Sequence, residues 1–177
     1  MITDNIAMFV GLVALAISVW ALIRKTNDHL LIILSIAVML WGVHYFMMGS
    51  VVGGTMHVIA ALGIFIADRM GRRSLKFRTL TATGFVALNI LAGAIWWSGP
   101  WDAYAIAAAP VLVYSQFCLK GARMRMGFMT GEAIMFFYAT ALGSMPGMAV
   151  SLINIAAGVA GLIRIMMDRG KRDFPPP

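Results

Sequence analysis

The chain has 177 residues, 61% hydrophobic and only 12% charged, and its 14 lysines and arginines against 7 acids give a formal net charge of +7. Mean hydropathy is +0.87 and the pI is near 10.2, whereas a soluble domain carries roughly 25% charged residues, so the composition belongs in a bilayer. A nucleic-acid partner is excluded, because the basic residues flank apolar stretches instead of covering one face of a polar fold; the single cysteine, Cys118, leaves no intramolecular disulfide and no CxxC motif.

In chain order, a first apolar span over about 5–23 is closed by Arg24 and Lys25. No basic residue precedes it and no small-residue cleavage site follows a basic start, so it reads as an uncleaved helix, not a signal peptide. The second span, about 30–48, meets the uncharged turn Gly49-Ser50-Val51-Val52-Gly53-Gly54, and the third continues to about Ala67. A basic loop follows, with Arg69, Arg72, Arg73, Lys76 and Arg78. The fourth span, about 80–97, closes at Ser98-Gly99-Pro100-Trp101-Asp102 with tryptophans placed as in an interfacial belt. The fifth, about 103–119, leads to Lys120, Arg123 and Arg125; the sixth, about 127–142, leads to the uncharged turn Gly143-Ser144-Met145-Pro146-Gly147; the seventh ends near Ile165, before Arg169, Lys171, Arg172 and a Pro175-Pro176-Pro177 tail.

Every lysine and arginine thus lies at alternate ends of the seven stretches. Basic loops stay on the cytoplasmic side, so the expected topology has the N-terminus outside and the C-terminus in the cytoplasm. At a rise of 1.5 Å per residue, stretches of roughly 16 to 20 residues are near the lower limit for crossing a core of about 30 Å. Tight glycine-rich turns join spans two to three and six to seven, and a basic segment with span four separates the two groups. The expected fold class is therefore an all-α membrane protein with seven transmembrane helices in a 3+1+3 plan, two parallel three-helix repeats about an axis along the membrane normal. Its segments are 5–68 for the first repeat, 69–101 for the basic loop and linker helix, 102–168 for the second repeat and 169–177 for a cytoplasmic tail. A shift of 94 residues places Gly49-Ser50 on Gly143-Ser144, Gly53 on Gly147, Ile59 on Ile153 and His44 on Tyr138.

Polar residues inside the spans are few, and in hydrocarbon each needs a partner or a water-filled cavity. His44 and His57 fall in the outer halves of spans two and three, and the same shift sets them on Tyr138 and Ser151. Gly147, Ser151, Asn154, Gly158 and Gly161 recur at steps of 4, 3, 4 and 3, one small-and-polar stripe on one face of the seventh helix. Such a stripe serves close helix packing or lines a pocket. Glu132 is the only acid well inside a span: it is a proton or cation site, or it pairs with Lys120, Arg123 or Arg164 near the inner interface. Asn89 and Gln116 read as interhelical hydrogen-bonding groups, and Pro110 as a hinge or a static kink in the fifth helix.

No phosphate-binding glycine loop, HExxH motif or glycine-flanked serine nucleophile is present. The histidines His29, His44 and His57 lack metal-ligand spacing, and no lysine lies within a span to carry a retinal-type Schiff base. Neither an enzyme, a metal nor a cofactor is expected.

The segments Gly42-Val43-His44-Tyr45-Phe46-Met47-Met48-Gly49-Ser50 and Phe117-Cys118-Leu119-Lys120-Gly121, the latter followed by Met124-Arg125, resemble the YgjV family of bacterial inner-membrane proteins. The 3+1+3 plan is similar to that of the SWEET, PQ-loop and PnuC-type transporters, which move small polar solutes by alternating access. That resemblance implies a pocket asparagine at Asn154 and a gating proline at Pro110, whereas Ala60 stands where SWEET proteins carry a second asparagine and the first helix has no proline. The expectation is a carrier for a small polar metabolite, with substrate contacts at His44, His57, Tyr138 and Asn154 and with Glu132 and Pro110 in coupling or gating. The alternative is a non-transporting membrane subunit or sensor partner with a dry, closely packed centre. Expected partners are the lipid bilayer, a small polar solute and, as an open alternative, further copies of the chain.

Overall fold

The computed structural model describes residues 2–23, 30–70 and 73–173. Among them are seven helices and no strand: α1 (Ile2–Ile23), α2 (Leu30–Met47), α3 (Val51–Arg69), α4 (Leu75–Ile95), α5 (Asp102–Cys118), α6 (Gly121–Ala141) and α7 (Met145–Asp173). The basic residues Arg24, Lys25 and Arg72, together with His29 and the Pro175-Pro176-Pro177 tail, lie outside the described residues. Over the described residues, α4 and the Met145–Met167 part of α7 are long and apolar enough to cross a membrane; Asn5–Ala21, Ile32–Met47 and Val51–Ala67 are shorter apolar helices.

Three boundaries differ from the sequence expectation. Helix α6 starts at Gly121, not near 127; α4 starts at Leu75, not near 80; and α7 runs past its last apolar turn to Asp173. Charge does not end a helix, since Arg and Lys are good helix formers. The basic segments at the starts of α4 and α6 and at the end of α7 therefore add one or two turns to the apolar runs beside them. The tail expected from 169 is helical as far as Asp173.

The helices pack as a closed ring. Neighbours in contact are α1 and α2, α2 and α3, α3 and α5, α5 and α6, α6 and α7, and α7 and α1, while α4 leans on α3 and α5 from outside. The α2–α3 and α6–α7 turns lie at what is here called the turn end. Helices in lipid gain nothing from burying apolar surface against one another, so close approach and hydrogen bonds hold them. The ring core accordingly mixes small residues (Ala14, Ala105, Ala108) with Trp41, Tyr45, Met56, Met135 and Tyr138. Large apolar side chains such as Phe9, Leu12, Ile36, Leu62, Leu80, Leu91 and Ile95 face outward.

The two turns share one backbone pattern. Met48 N–H bonds His44 O, Gly49 N–H bonds Phe46 O, Ser50 N–H bonds Tyr45 O and Gly54 N–H bonds Ser50 O; each bond recurs 94 residues on, from Leu142 to Tyr138, Gly143 to Thr140, Ser144 to Ala139 and Met148 to Ser144. Gly49 and Gly143 hold φ of 80° and 68°, the left-handed conformation that glycine ends a helix with at no steric cost. The serine that follows caps the next helix: Ser50 Oγ accepts from Gly53 N–H at 3.0 Å and Ser144 Oγ from Gly147 N–H at 3.1 Å.

The α4–α5 connection is built around a buried carboxylate. Asp102 Oδ2 accepts from Ser98 N–H and Oγ–H, both at 2.8 Å, and from Gly99 N–H at 3.3 Å. Asp102→Ala is expected to cost about 1–3 kcal/mol, since bonds to a charged acceptor are lost but the exposed donors gain water. Thermal denaturation in detergent measures it, and an unchanged midpoint would show that the carboxylate does not hold the connection.

Candidate functional site

Two polar ties cross the ring at the turn end. His44 Nδ1 lies 2.8 Å from Ala7 O, and a carbonyl only accepts, so Nδ1 carries the proton. The other ring nitrogen then accepts from Ser144 Oγ–H, at 2.8 Å. One imidazole thereby joins α1, α2 and the cap of α7. On the opposite side Tyr138 Oη and Ser50 Oγ share a hydrogen bond between α6 and the cap of α3. His44 and Tyr138 are 1% and 0% exposed. Tyr45 packs between them, its ring centroid 5.3 Å from that of His44 and 5.6 Å from that of Tyr138.

Below the ties lies a cavity of about 340 Å³ to which all seven helices contribute. His57 and Asn154 line it; His44 and Tyr138 do not, because their polar atoms are taken up in the ties. The structure therefore separates four residues that the sequence groups together. Glu132 also lines the cavity, and its carboxylate accepts from Asn154 Nδ2–H at 2.9 Å across the α6–α7 interface. Among the described residues no ion pair joins it to Lys120, Arg123 or Arg164. Pro110 lies within α5 but outside the lining, and the helix continues through it.

Several lining residues escape sequence reasoning. The charge pattern sets Arg125 between two spans; with α6 starting at Gly121 it stands two turns from Glu132 on the same helix face, about 10 Å along the axis. Its guanidinium lies against Gly161, where any side chain would collide with it. Gly158 likewise receives Met129, so the α7 stripe is both a close-packing surface and, through Ser151, Asn154 and Gly158, part of the cavity wall. Trp41 Nε1–H donates to Ser18 Oγ at 3.2 Å, fixing an indole on the opposite wall. His57 donates Nδ1–H to Gly53 O at 2.7 Å, and its ring lies 4.8 Å from Tyr45. Asn89 donates to Phe85 O in its own helix, not between helices as expected, and its Oδ1 is buried with no partner among the described residues. Gln116 lines the cavity.

The lining pairs across the 94-residue shift. Of the nine cavity residues on α1, α2 and α3, eight have a counterpart that also lines the cavity; Tyr45 alone does not. Val38 answers Glu132, Trp41 answers Met135, His57 answers Ser151 and Ala60 answers Asn154. The two walls nevertheless differ in chemistry. Glu132, Arg125, Gln116 and Asn154 are on the α5–α7 wall, and the α1–α3 wall is aromatic and apolar apart from Ser18 and His57.

An outward-facing apolar surface, helices across the described residues and a few hydrogen-bonded polar groups inside define an integral membrane helix bundle. The chain matches the model of the family Imp-YgjV, described as bacterial inner membrane protein, over residues 5–169. It belongs to that family, which places it in contact with the lipid bilayer. No curated protein and no solved structure matches it.

Proposed function

We propose that the protein is a small inner-membrane carrier in which seven spanning helices form two parallel three-helix repeats joined by α4, and that it moves a small polar solute by alternating access. The observation that carries this reading is the central cavity whose lining pairs residue by residue between the two triplets. Site residues paired in this way suit a carrier whose triplets rock against each other about a fixed site. The basic ends support an N-terminus outside and a C-terminus in the cytoplasm. In that orientation the ties His44–Ser144 and Ser50–Tyr138 close the outer side, and the cavity reaches inward towards Arg125. The solute contacts are His57 and Asn154, with Glu132 as the coupling or binding acid; His44 and Tyr138 act in gating. The alternative of a non-transporting subunit calls for a closely packed centre, against which a cavity of about 340 Å³ with a few polar groups in a mostly apolar wall weighs.

The test loads purified protein into proteoliposomes and reads, by mass spectrometry, which small solutes of a bacterial extract accumulate above protein-free vesicles. At least one small polar solute is expected, with uptake falling at least tenfold in His57→Ala and Asn154→Ala. Equal uptake by wild type and both variants would sink the site, and no solute above control would sink the carrier.

A further inference from the structure

The chemistry of the lining narrows the ligand, on the reading that the cavity is a solute site. Glu132 is held only by neutral groups, Asn154 and Ser151. The one arginine in the lining, Arg125, is drawn about 10 Å away along α6 towards Gly161, so the two side chains do not meet. Asn89 donates its amide N–H to Phe85 O, and its Oδ1 is enclosed by protein and does not open into the cavity. Because His57 Nδ1–H donates to Gly53 O, the free nitrogen of the neutral ring, Nε2, is an acceptor. The polar groups around the middle of the cavity thus include a carboxyl group and a neutral acceptor, beside the amide of Gln116 and the hydroxyl of Ser151. Trp41 and Tyr45 on α2 and Phe128 on α6 also line the cavity, the Tyr45 ring 4.8 Å from that of His57, and such faces attract cations as well as apolar surface.

We propose that the cavity takes a small organic ammonium with an apolar or aromatic body, its N–H donors directed to Glu132 and to the acceptor His57 Nε2, and its body against Trp41 and Tyr45. Acceptors with nothing to receive are costly at this depth, and an ammonium supplies both the donors and the missing positive charge. An anionic ligand of the same shape would set like charge against the carboxylate and leave the His57 acceptor unpaired.

Three probes of one shape test it in detergent: 2-phenylethylamine, 2-phenylethanol and 3-phenylpropionate, each titrated against the quenching of tryptophan fluorescence and the thermal midpoint. The amine is expected to bind at least tenfold more tightly than the alcohol, and the acid not at all. Glu132→Gln is expected to bring the amine down to the level of the alcohol while the alcohol still binds, which shows that the variant is folded. Equal or tighter binding of the acid, or amine binding undiminished in Glu132→Gln, overturns the assignment. Counterflow of labelled amine in proteoliposomes separates the two readings: binding without flux keeps the ligand class and removes the carrier.

Discussion

His44→Leu is expected to lower stability by about 2–6 kcal/mol, because it leaves both the Ala7 carbonyl and the Ser144 hydroxyl without their partner in a buried site, at roughly 1–3 kcal/mol each. Leucine keeps much of the volume, so the loss reports the hydrogen bonds more than the packing. The imidazole reaches three helices at once: it is part of α2, it donates to α1 at 2.8 Å, and it accepts from the cap of α7 at 2.8 Å. Thermal denaturation in detergent measures the change, on a scale of about 2–4 °C per kcal/mol for a soluble chain of this size. Ser144→Ala removes the same bond from the other side, so the two substitutions are expected to be strongly non-additive in a double-mutant cycle. Additive losses, or a His44→Leu midpoint equal to wild type, would show that the tie does not hold the turn end together.

Gly53→Ala and Gly147→Ala are expected to destabilise by similar amounts, about 1–3 kcal/mol each, as small-to-large changes at closed contacts. A Cβ at Gly53 would come within 2.6 Å of Tyr138 Oη and 2.9 Å of Ser50 Oγ; at Gly147 it would come within 2.7 Å of Ser144 Oγ and 2.8 Å of Tyr45 Oη. In both places the obstructing atoms belong to a capping serine and a buried tyrosine, which cannot swing aside without releasing their own bonds. Gly84→Ala in α4 is the control, since nothing lies within 4 Å of its added carbon and alanine is the better helix former by about 1 kcal/mol. A stabilised Gly84→Ala beside matched losses at Gly53 and Gly147 is the expected pattern. Unequal losses at those two positions would argue that the two turns are not mechanically equivalent.

The helices and both glycine turns were legible because apolar runs and left-handed glycines are local signals. The start of α6 was not, since Gly121 to Arg125 carry the charge of a loop and the conformation of a helix, and with that boundary went Arg125 as a cavity residue. Two of the expected contacts, His57 and Asn154, stand in the cavity wall, the second marked by the periodic stripe on α7. His44 and Tyr138 were legible as polar groups in need of partners but not as ties, because His44 finds its serine 100 positions away and Tyr138 finds its own 88 away. Such pairings depend on how the ring closes, which no local pattern encodes. Trp41 and Tyr45 carry no signal that separates a cavity wall from ordinary packing.

On the proposed repeat plan, the matched pairs in the cavity bear on why the two triplets share one chain. Were they separate identical subunits, both members of each pair would be the same residue, and a carboxylate at 132 would require another at 38 across one low-dielectric chamber, where like charges repel strongly. Joined through α4, the halves are free to diverge: valine stands opposite the acid, alanine opposite the asparagine. On the proposed reading, a single covalent thread thus turns a chamber that symmetry would make uniform into one with a polar wall and a greasy wall, able to tell the two ends of a ligand apart.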